Sequence, residues 1–302
     1  MVKVAIVGAT SHVAGYLIPA IAEKHEVVTL TRKPSNPEVH LPNIHRYSHL
    51  PNVHSVVVDY SKPAELDAAL QGVHTVISTI FNFDKDAYVN TSLALLESAL
   101  RVGVKRFAPS EFAAHGLPND TIEVYRYKAI VSEAVRKSGI EYTLFDTGFW
   151  MNMLAAGTPG ANGMSYTPIF DVGNCSARIP GDGSAYLVYI RGEDMAKFVA
   201  ASLKLEKWPA VSRMVGDRKT FNEILRIAEE VRGKKFDVTY VSLEELRAQV
   251  AADPSQLVLN AQAQMYMEML VSDRWGSADA SLNDLCPEVK PMGIEEFLRT
   301  WW

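Results

Sequence analysis

The chain has 302 residues, 48% of them hydrophobic and 22% charged, with a net charge of −5. That balance fits a soluble globular protein of one large α/β domain with an appended part, and it excludes a general nucleic-acid binder, which needs a basic surface. Two cysteines, Cys175 and Cys286, are too few for a disulfide framework, no apolar run approaches the length of a membrane crossing, and the first strand starts so close to Met1 that no secretory leader is expected, so the expected setting is cytoplasmic.

Val4 to Val7 is an apolar run of the kind a strand takes when a parallel sheet is covered on both faces. Gly8 follows as a tight turn. Val13, Leu17, Ile18 and Ile21 then recur at helical spacing. Strand, glycine turn and helix in that order place a pyrophosphate on a helix N-terminus. The dinucleotide fingerprint asks for three glycines, and only Gly8 fits outright. Ser11 holds the second place and Ala14 the third, unless Gly15 serves for helix packing. Serine narrows the approach to the pyrophosphate but brings a hydroxyl that can donate to it.

Val27 to Thr31 reads as strand two and ends in Arg32-Lys33. An NAD enzyme carries an acidic residue at that point for the ribose hydroxyls, whereas two cations suit a 2′-phosphate. The expected cofactor is therefore NADPH/NADP. His54 to Asp59 is strand three. A helix follows over Glu65 to Leu70, with Ser61 as its expected cap. Thr75 to Ile80 is strand four, and a helix from Tyr88 to Arg101 stops at Gly103. Arg106 to Pro109 and Tyr142 to Phe145 are strands five and six. This alternation predicts an α/β fold, a Rossmann-type doubly wound parallel sheet, with a smaller C-terminal substrate domain. The expected division is 1–150 for the NADP-binding domain, its sheet open to completion by later segments, and 151–302 for the substrate region.

The second half reads differently. Gly157 to Gly183 is rich in glycine, proline and small polar residues, and predicts loops and short strands around a pocket. Glu193 to Leu205 and Phe221 to Arg232 are helices, the latter ending at Gly233. Val238 to Val241 is a short strand. Ser242-Leu243-Glu244-Glu245 has the form of a capping box opening another helix. Ile294 to Trp302 is a C-terminal helix.

Ligands of such sheets bind beyond the carboxyl ends of the strands. Those ends carry Asp59 and Tyr60, placed to flank the adenine, then Thr79, Ile80 and Phe81, then Ser110 and Phe112, and finally Phe149 and Trp150. Lys128 is the sharpest catalytic candidate. Val124, Lys128, Val131 and Val135 share one helical face, and an inward lysine is costly without a partner or ligand. It would hydrogen-bond the nicotinamide ribose or protonate the substrate. The other reading of the spacing is a lysine that snorkels to solvent. The Tyr-x-x-x-Lys pattern of common short-chain dehydrogenases is absent, because Val124 stands four residues before Lys128, and Tyr125 and Tyr127 are out of phase for that arrangement. His40, His45, His49 and His54 lie without a completing carboxylate or cysteine, so no metal is expected. His12 faces phosphate or solvent, and His115 follows the Ser110-Glu111-Phe112 segment toward the pocket.

The chain resembles the NmrA-like and isoflavone-reductase-like branch of atypical short-chain dehydrogenases. The resemblance rests on Gly8-Ala9-Thr10, Arg32, Val104-Lys105-Arg106-Phe107-Ala108-Pro109-Ser110-Glu111-Phe112, Lys128, Ser138-Gly139-Ile140-Glu141-Tyr142-Thr143, Pro180-Gly181-Asp182-Gly183 and Glu193-Asp194-Met195-Ala196. It covers nearly the whole chain and is strongest through about residue 205. It implies an NADPH-binding Rossmann domain and an oxidoreductase acting on a small aromatic or conjugated carbonyl metabolite, with Lys128 at the place of the family's catalytic lysine. The cofactor-side residues it implies are Gly8, Thr10, Ser11, His12, Val13, Arg32, Lys33, Asp59, Tyr60, Thr79, Ile80, Phe81, Ser110 and Lys128. Phe112, His115, Phe149, Trp150 and Met153 are the expected substrate pocket. Other members of the family bind the nucleotide as redox-responsive regulators, so the alternative is an NADP-sensing protein that acts through a protein partner. The expected partner is a small-molecule substrate, with no nucleic acid and no membrane, and a homodimer is left open.

Overall fold

The structure is a computed structural model, and it describes residues 1–33, 46–114 and 120–302. In chain order the elements are β1 (Lys3–Val7), α1 (His12–Ala22), β2 (Glu26–Arg32), β3 (Val53–Val58), α2 (Pro63–Leu70), β4 (Thr75–Ser78), α3 (Lys85–Arg101), β5 (Arg106–Ala108), α4 (Glu123–Ser138), β6 (Glu141–Tyr142), β7 (Leu144–Asp146) and β8 (Phe149–Trp150). After two short 3-10 turns come β9 (Phe170–Asp171), β10 (Ser176–Pro180), β11 (Tyr186–Ile190), α5 (Gly192–Ser202), β12 (Val211–Arg213), β13 (Asp217–Thr220), α6 (Phe221–Arg232), β14 (Asp237–Val241), α7 (Leu243–Ala252), α8 (Leu257–Val271), α9 (Ser281–Leu285) and α10 (Ile294–Trp301).

The chain forms two compact units. The first comprises 1–119, 124–146 and 195–212, and the second comprises 120–123, 147–194 and 213–302. The first unit is built on a six-stranded sheet in the order β3-β2-β1-β4-β5-β6. Every pairing in it is parallel. β1 is central, and Val4, Ala5, Ile6 and Val7 are fully buried, as a strand covered on both faces must be. Ala5 and Val7 pack into a cluster with Leu66, Leu70, Leu95, Leu96, Ala99 and Phe107. Val4 and Ile6 alternate to the opposite face, where α1 lies on β1 and β2. Burying aliphatic side chains of this size contributes about 1.5–3 kcal/mol each, so the central strand anchors the unit. The strand order reverses between β1 and β4, and such a switch point leaves a crevice at the strands' carboxyl ends.

The expected strand six is two strands. β6 joins the main sheet beside β5, while β7 pairs with β12. Thr143, fully buried, sits at the break and donates its hydroxyl to Ser212 at 2.7 Å. The expected cap of α2 is also corrected. Ser61 donates to the Asp59 carboxylate through both its amide (3.0 Å) and its hydroxyl (2.6 Å). Lys62 occupies the cap position without a side-chain bond, and Pro63 opens the helix. α3 begins at Lys85, capped by Asp84, three residues before the expected start.

The second unit carries two small sheets, β14-β10-β9 and β13-β11-β8. Both α6 and α7 open with complete capping boxes, Thr220 with Glu223 and Ser242 with Glu245. Its C-terminus is held tightly. Trp302 donates its indole N–H to the Leu154 carbonyl at 2.9 Å, and the Arg232 guanidinium lies over the Trp302 ring at 4.8 Å. Among the described residues no helix is long and apolar enough to cross a membrane.

Candidate functional site

The glycine turn sits at the switch point. Val7 pairs with Ser78, so the ends of β1 and β4 emerge side by side. Gly8 has φ +91°, and a Cβ there would come within 3.0 Å of the Thr79 hydroxyl and 3.2 Å of the Ile80 amide. Both the backbone conformation and the close approach require glycine. Ser11 caps α1, its hydroxyl oxygen accepting from the Ala14 amide at 3.0 Å. The same hydroxyl donates to Thr79 Oγ1 at 2.9 Å. Thr79 in turn directs its hydrogen to the carbonyls of Val7 (2.9 Å) and Gly8 (3.0 Å). The serine hydrogen expected on a phosphate is therefore committed inside the turn. The amides of Thr10, His12 and Val13 have no acceptor among the described residues. They head a helix whose dipole favours an anion.

Arg32 and Lys33 are exposed where β2 ends. Neither pairs with a carboxylate among the described residues. Arg46 carries no signal in the sequence, because no spacing rule marks a lone arginine in a connection. A Cβ on Gly15 would lie 3.3 Å from its guanidinium, so Gly15 gives a cation room on the first turns of α1. Asp59 is engaged in its turn with Ser61, and these hydrogen bonds hold its carboxyl below the usual carboxylate range. Tyr60 is buried in the first-unit core, and burial raises its phenol well above the ordinary value.

Lys128 is buried, 5% exposed, on α4. Its ammonium donates to the Glu111 carbonyl at 2.5 Å. It lies 5.3 Å from the Tyr125 ring centroid and 5.8 Å from that of Phe81, both within cation–π range. Burial lowers the Lys128 pKa, and the Glu111 charge opposes that fall. Of the expected inward face of α4, Lys128, Val131 and Val135 are buried and Val124 is only partly so, while Tyr125, Ala129 and Ser132 join it. Tyr125 is thus in phase with Lys128 at a spacing of three, as helix geometry allows. It offers the ammonium its ring.

Ser110 is buried at the end of β5. Phe112 has φ +43°, a conformation strained for a bulky side chain. It is held there by its amide bond to Phe145 O at 2.9 Å and by stacking on the Phe145 ring. Phe81 is 47% exposed and Ile80 is half-buried, both just past β4. Phe81 and Phe112 belong to the first unit, and Phe149, Trp150 and Met153 to the second. Within that unit Phe149 is buried between the rings of Tyr189 (5.6 Å) and Trp275 (5.3 Å). Trp150 is buried and Met153 half-buried. His115, His40 and His45 lie outside the described residues.

A parallel sheet in this order, with a glycine turn and free helix amides at its switch point, defines the Rossmann class of nucleotide-binding folds. The model of the NmrA-like family matches residues 2–298, and the chain belongs to that family. It is 28% identical to Oxidoreductase BOA1 of Botryotinia fuckeliana, with 96% of each chain covered. It is 25% identical to Pinoresinol reductase 2 of Arabidopsis thaliana over 98% of this chain and 96% of that one. The structure of AtPrR2 with NADP+ and (+)pinoresinol superposes with a TM-score of 0.82 at 22% identity, covering 100% of this chain and 99% of the other. A crystal structure of isoflavone reductase superposes at 0.80, with 20% identity and 99% of each chain covered. The fold and family expected from the motifs are the ones found.

Proposed function

We propose that this chain is an NADPH-dependent reductase of a small aromatic or conjugated carbonyl metabolite. The observation that carries the reading is Lys128, a buried ammonium on the inward face of α4 with a single backbone acceptor among the described residues. The names of the relatives support a reductase, since they include pinoresinol and phenylcoumaran benzylic ether reductases.

The donor set fits a dinucleotide with a 2′-phosphate. The amides of Thr10, His12 and Val13 would hold the pyrophosphate, while Arg32 and Lys33 would hold the 2′-phosphate. When bound, the nicotinamide supplies a hydride from its C4. An ammonium carries three donors, so Lys128 keeps two after its bond to Glu111. They would orient a ribose hydroxyl or give a proton to the substrate oxygen. Burial shifts Lys128 toward the range in which a general acid works near neutral pH. Phe81, exposed beside the ammonium, would offer an aromatic face to the substrate. Cys175 and Cys286 are buried and not joined in a disulfide, which suits a reducing, cytoplasmic setting.

The test is direct. The purified chain is titrated with NADPH and NADH, then incubated with NADPH and a panel of lignans, flavonoids and enones while nicotinamide absorbance is followed. Tight NADPH binding and turnover of a panel member are expected. NADPH binding with no turnover would favour the nucleotide-sensing regulator, and no binding of either nucleotide would end both readings.

A further inference from the structure

One residue, Glu111, holds the inward face of α4 at both Lys128 and Ser132, through two different groups. The Glu111 carbonyl accepts from Lys128 Nζ at 2.5 Å. The Glu111 carboxylate accepts from the Ser132 hydroxyl at 2.6 Å. Lys128 and Ser132 are one helical turn apart, so the residue grips α4 at two successive points of its inward face. All three are buried, at 2% exposed for Glu111, 5% for Lys128 and 0% for Ser132.

The turn that presents Glu111 is tightly set. Its amide donates to the Pro109 carbonyl at 2.9 Å, and the next residue is Phe112 in its left-handed conformation. Strained backbone of this kind persists only where the surroundings over-determine it. Here the Phe145 carbonyl and ring do so. A buried ammonium without an opposite charge is costly, and Glu111 is the carboxylate whose charge acts on Lys128. Among the described residues two phenols also bear on the pair. Tyr88 on α3 is raised by burial first and then by the Glu111 charge, and Tyr125 on α4 faces Lys128 with its ring.

We infer that Glu111 is a positioning residue for Lys128: its carbonyl aims the ammonium, and its carboxylate, moored by Ser132, keeps that ammonium charged in a buried place. This deepens the reductase reading and rests on Lys128 being its working lysine. Glu111 would thus set the pH range over which Lys128 can give up a proton.

The experiment is an NMR titration of the full chain carrying isotope-labelled lysine, with the Lys128 signal assigned by its loss in Lys128→Met. Glu111→Gln keeps the shape and an acceptor for Ser132 but removes the charge. The Lys128 midpoint should fall by about one pH unit, the low end of what an opposite charge supplies. Glu111→Asp restores the charge and should recover part of that fall. A fall smaller than about half a unit in Glu111→Gln overturns the proposal. Should Glu111→Gln fail to fold, Ser132→Ala decides, since it keeps the carboxylate and cuts its mooring. The midpoint should then also fall, and an unmoved or raised midpoint overturns the proposal. The titration uses neither cofactor nor substrate. A chain that reduced nothing would still return it, so the two readings fail separately.

Discussion

Ser11 and Thr79, 68 residues apart in sequence, close the glycine turn with a hydroxyl-to-hydroxyl bond of 2.9 Å. Ser11 stands at the place of a fingerprint glycine, and its hydroxyl makes two contacts within the protein, as cap of α1 and as donor to the end of β4. Both Ser11→Ala and Ser11→Gly remove the Thr79 bond, at a cost of about 0.5–1.5 kcal/mol, and the lost cap adds about 0.5–2 kcal/mol in Ser11→Ala but only a few tenths in Ser11→Gly. NADPH affinity should change less than about tenfold in either variant, because the hydroxyl's hydrogen is already committed. Denaturant melts and nucleotide titrations check both. An abolition of NADPH binding by Ser11→Gly would show that the hydroxyl contacts the cofactor after all.

Arg32 is exposed at the end of β2 without a carboxylate partner among the described residues. A charge-assisted contact to a 2′-phosphate contributes about 1.5–3 kcal/mol. Arg32→Ala should therefore weaken NADPH binding about tenfold or more and leave NADH binding nearly unchanged. Calorimetric titration with both nucleotides measures the difference. Equal affinity for the two in the unaltered protein would remove the assignment.

Lys128 gives a prediction that needs no substrate. Burial lowers its folded-state pKa below the ordinary 10.5, against the pull of Glu111. Between the folded value and 10.5 the unfolded chain binds more protons than the folded one. Stability contributed by this group therefore rises as pH climbs through that window, and the cost of burying the charge is felt in full below it. Lys128→Met should flatten the pH dependence of the melting temperature across the same window while keeping the fold. If Lys128 is the proton donor, the same variant should lose about 10²–10⁴ in single-turnover rate on any substrate the panel yields. An unchanged rate would take Lys128 out of the chemistry.

Gly160 is packed under the C-terminal helix. A Cβ there would meet the Trp301 indole at 2.5 Å. The main chain cannot easily yield, because Gly160 O accepts from Asn152 at 2.9 Å and Gly160 N donates to Thr158. Gly160→Ala should destabilise the chain by about 1–3 kcal/mol, the range for overpacking. Adding Trp301→Ala should relieve that clash, so the double variant should be more stable than the sum of the single losses predicts. Additive losses in a thermal-melt cycle would show that the indole moves aside freely.

The first unit was legible because its signals are local. Val4 to Val7 and Val27 to Thr31 are short apolar runs of the kind a covered parallel strand takes, and the turn at Gly8 needs a residue free to take positive φ. The boundary of strand six was not legible. Nothing in Tyr142-Thr143-Leu144-Phe145 says that its two halves pair with different partners. α8 was missed because its first turn exposes Leu257, Val258 and Leu259, which breaks the one-sided pattern a helix search depends on. Tyr125 stands three residues before Lys128 and not the four of the Tyr-x-x-x-Lys pattern, so that pattern does not signal that its ring faces the ammonium.

The sequence by itself determined the class of fold, the family, the cationic end of β2 and Lys128 as the group to watch. Each of these is written in residues a few positions apart, where periodicity and backbone stereochemistry leave little freedom. Tertiary structure alone decided what those residues touch. It committed the Ser11 hydroxyl to Thr79 and Asp59 to Ser61, brought Arg46 onto Gly15, and set Glu111, 17 residues before Lys128, against the same turn of α4. The physical reason is that a hydrogen bond or a charge acts over a few ångströms of space, and the distance along the chain does not record which groups folding brings that close.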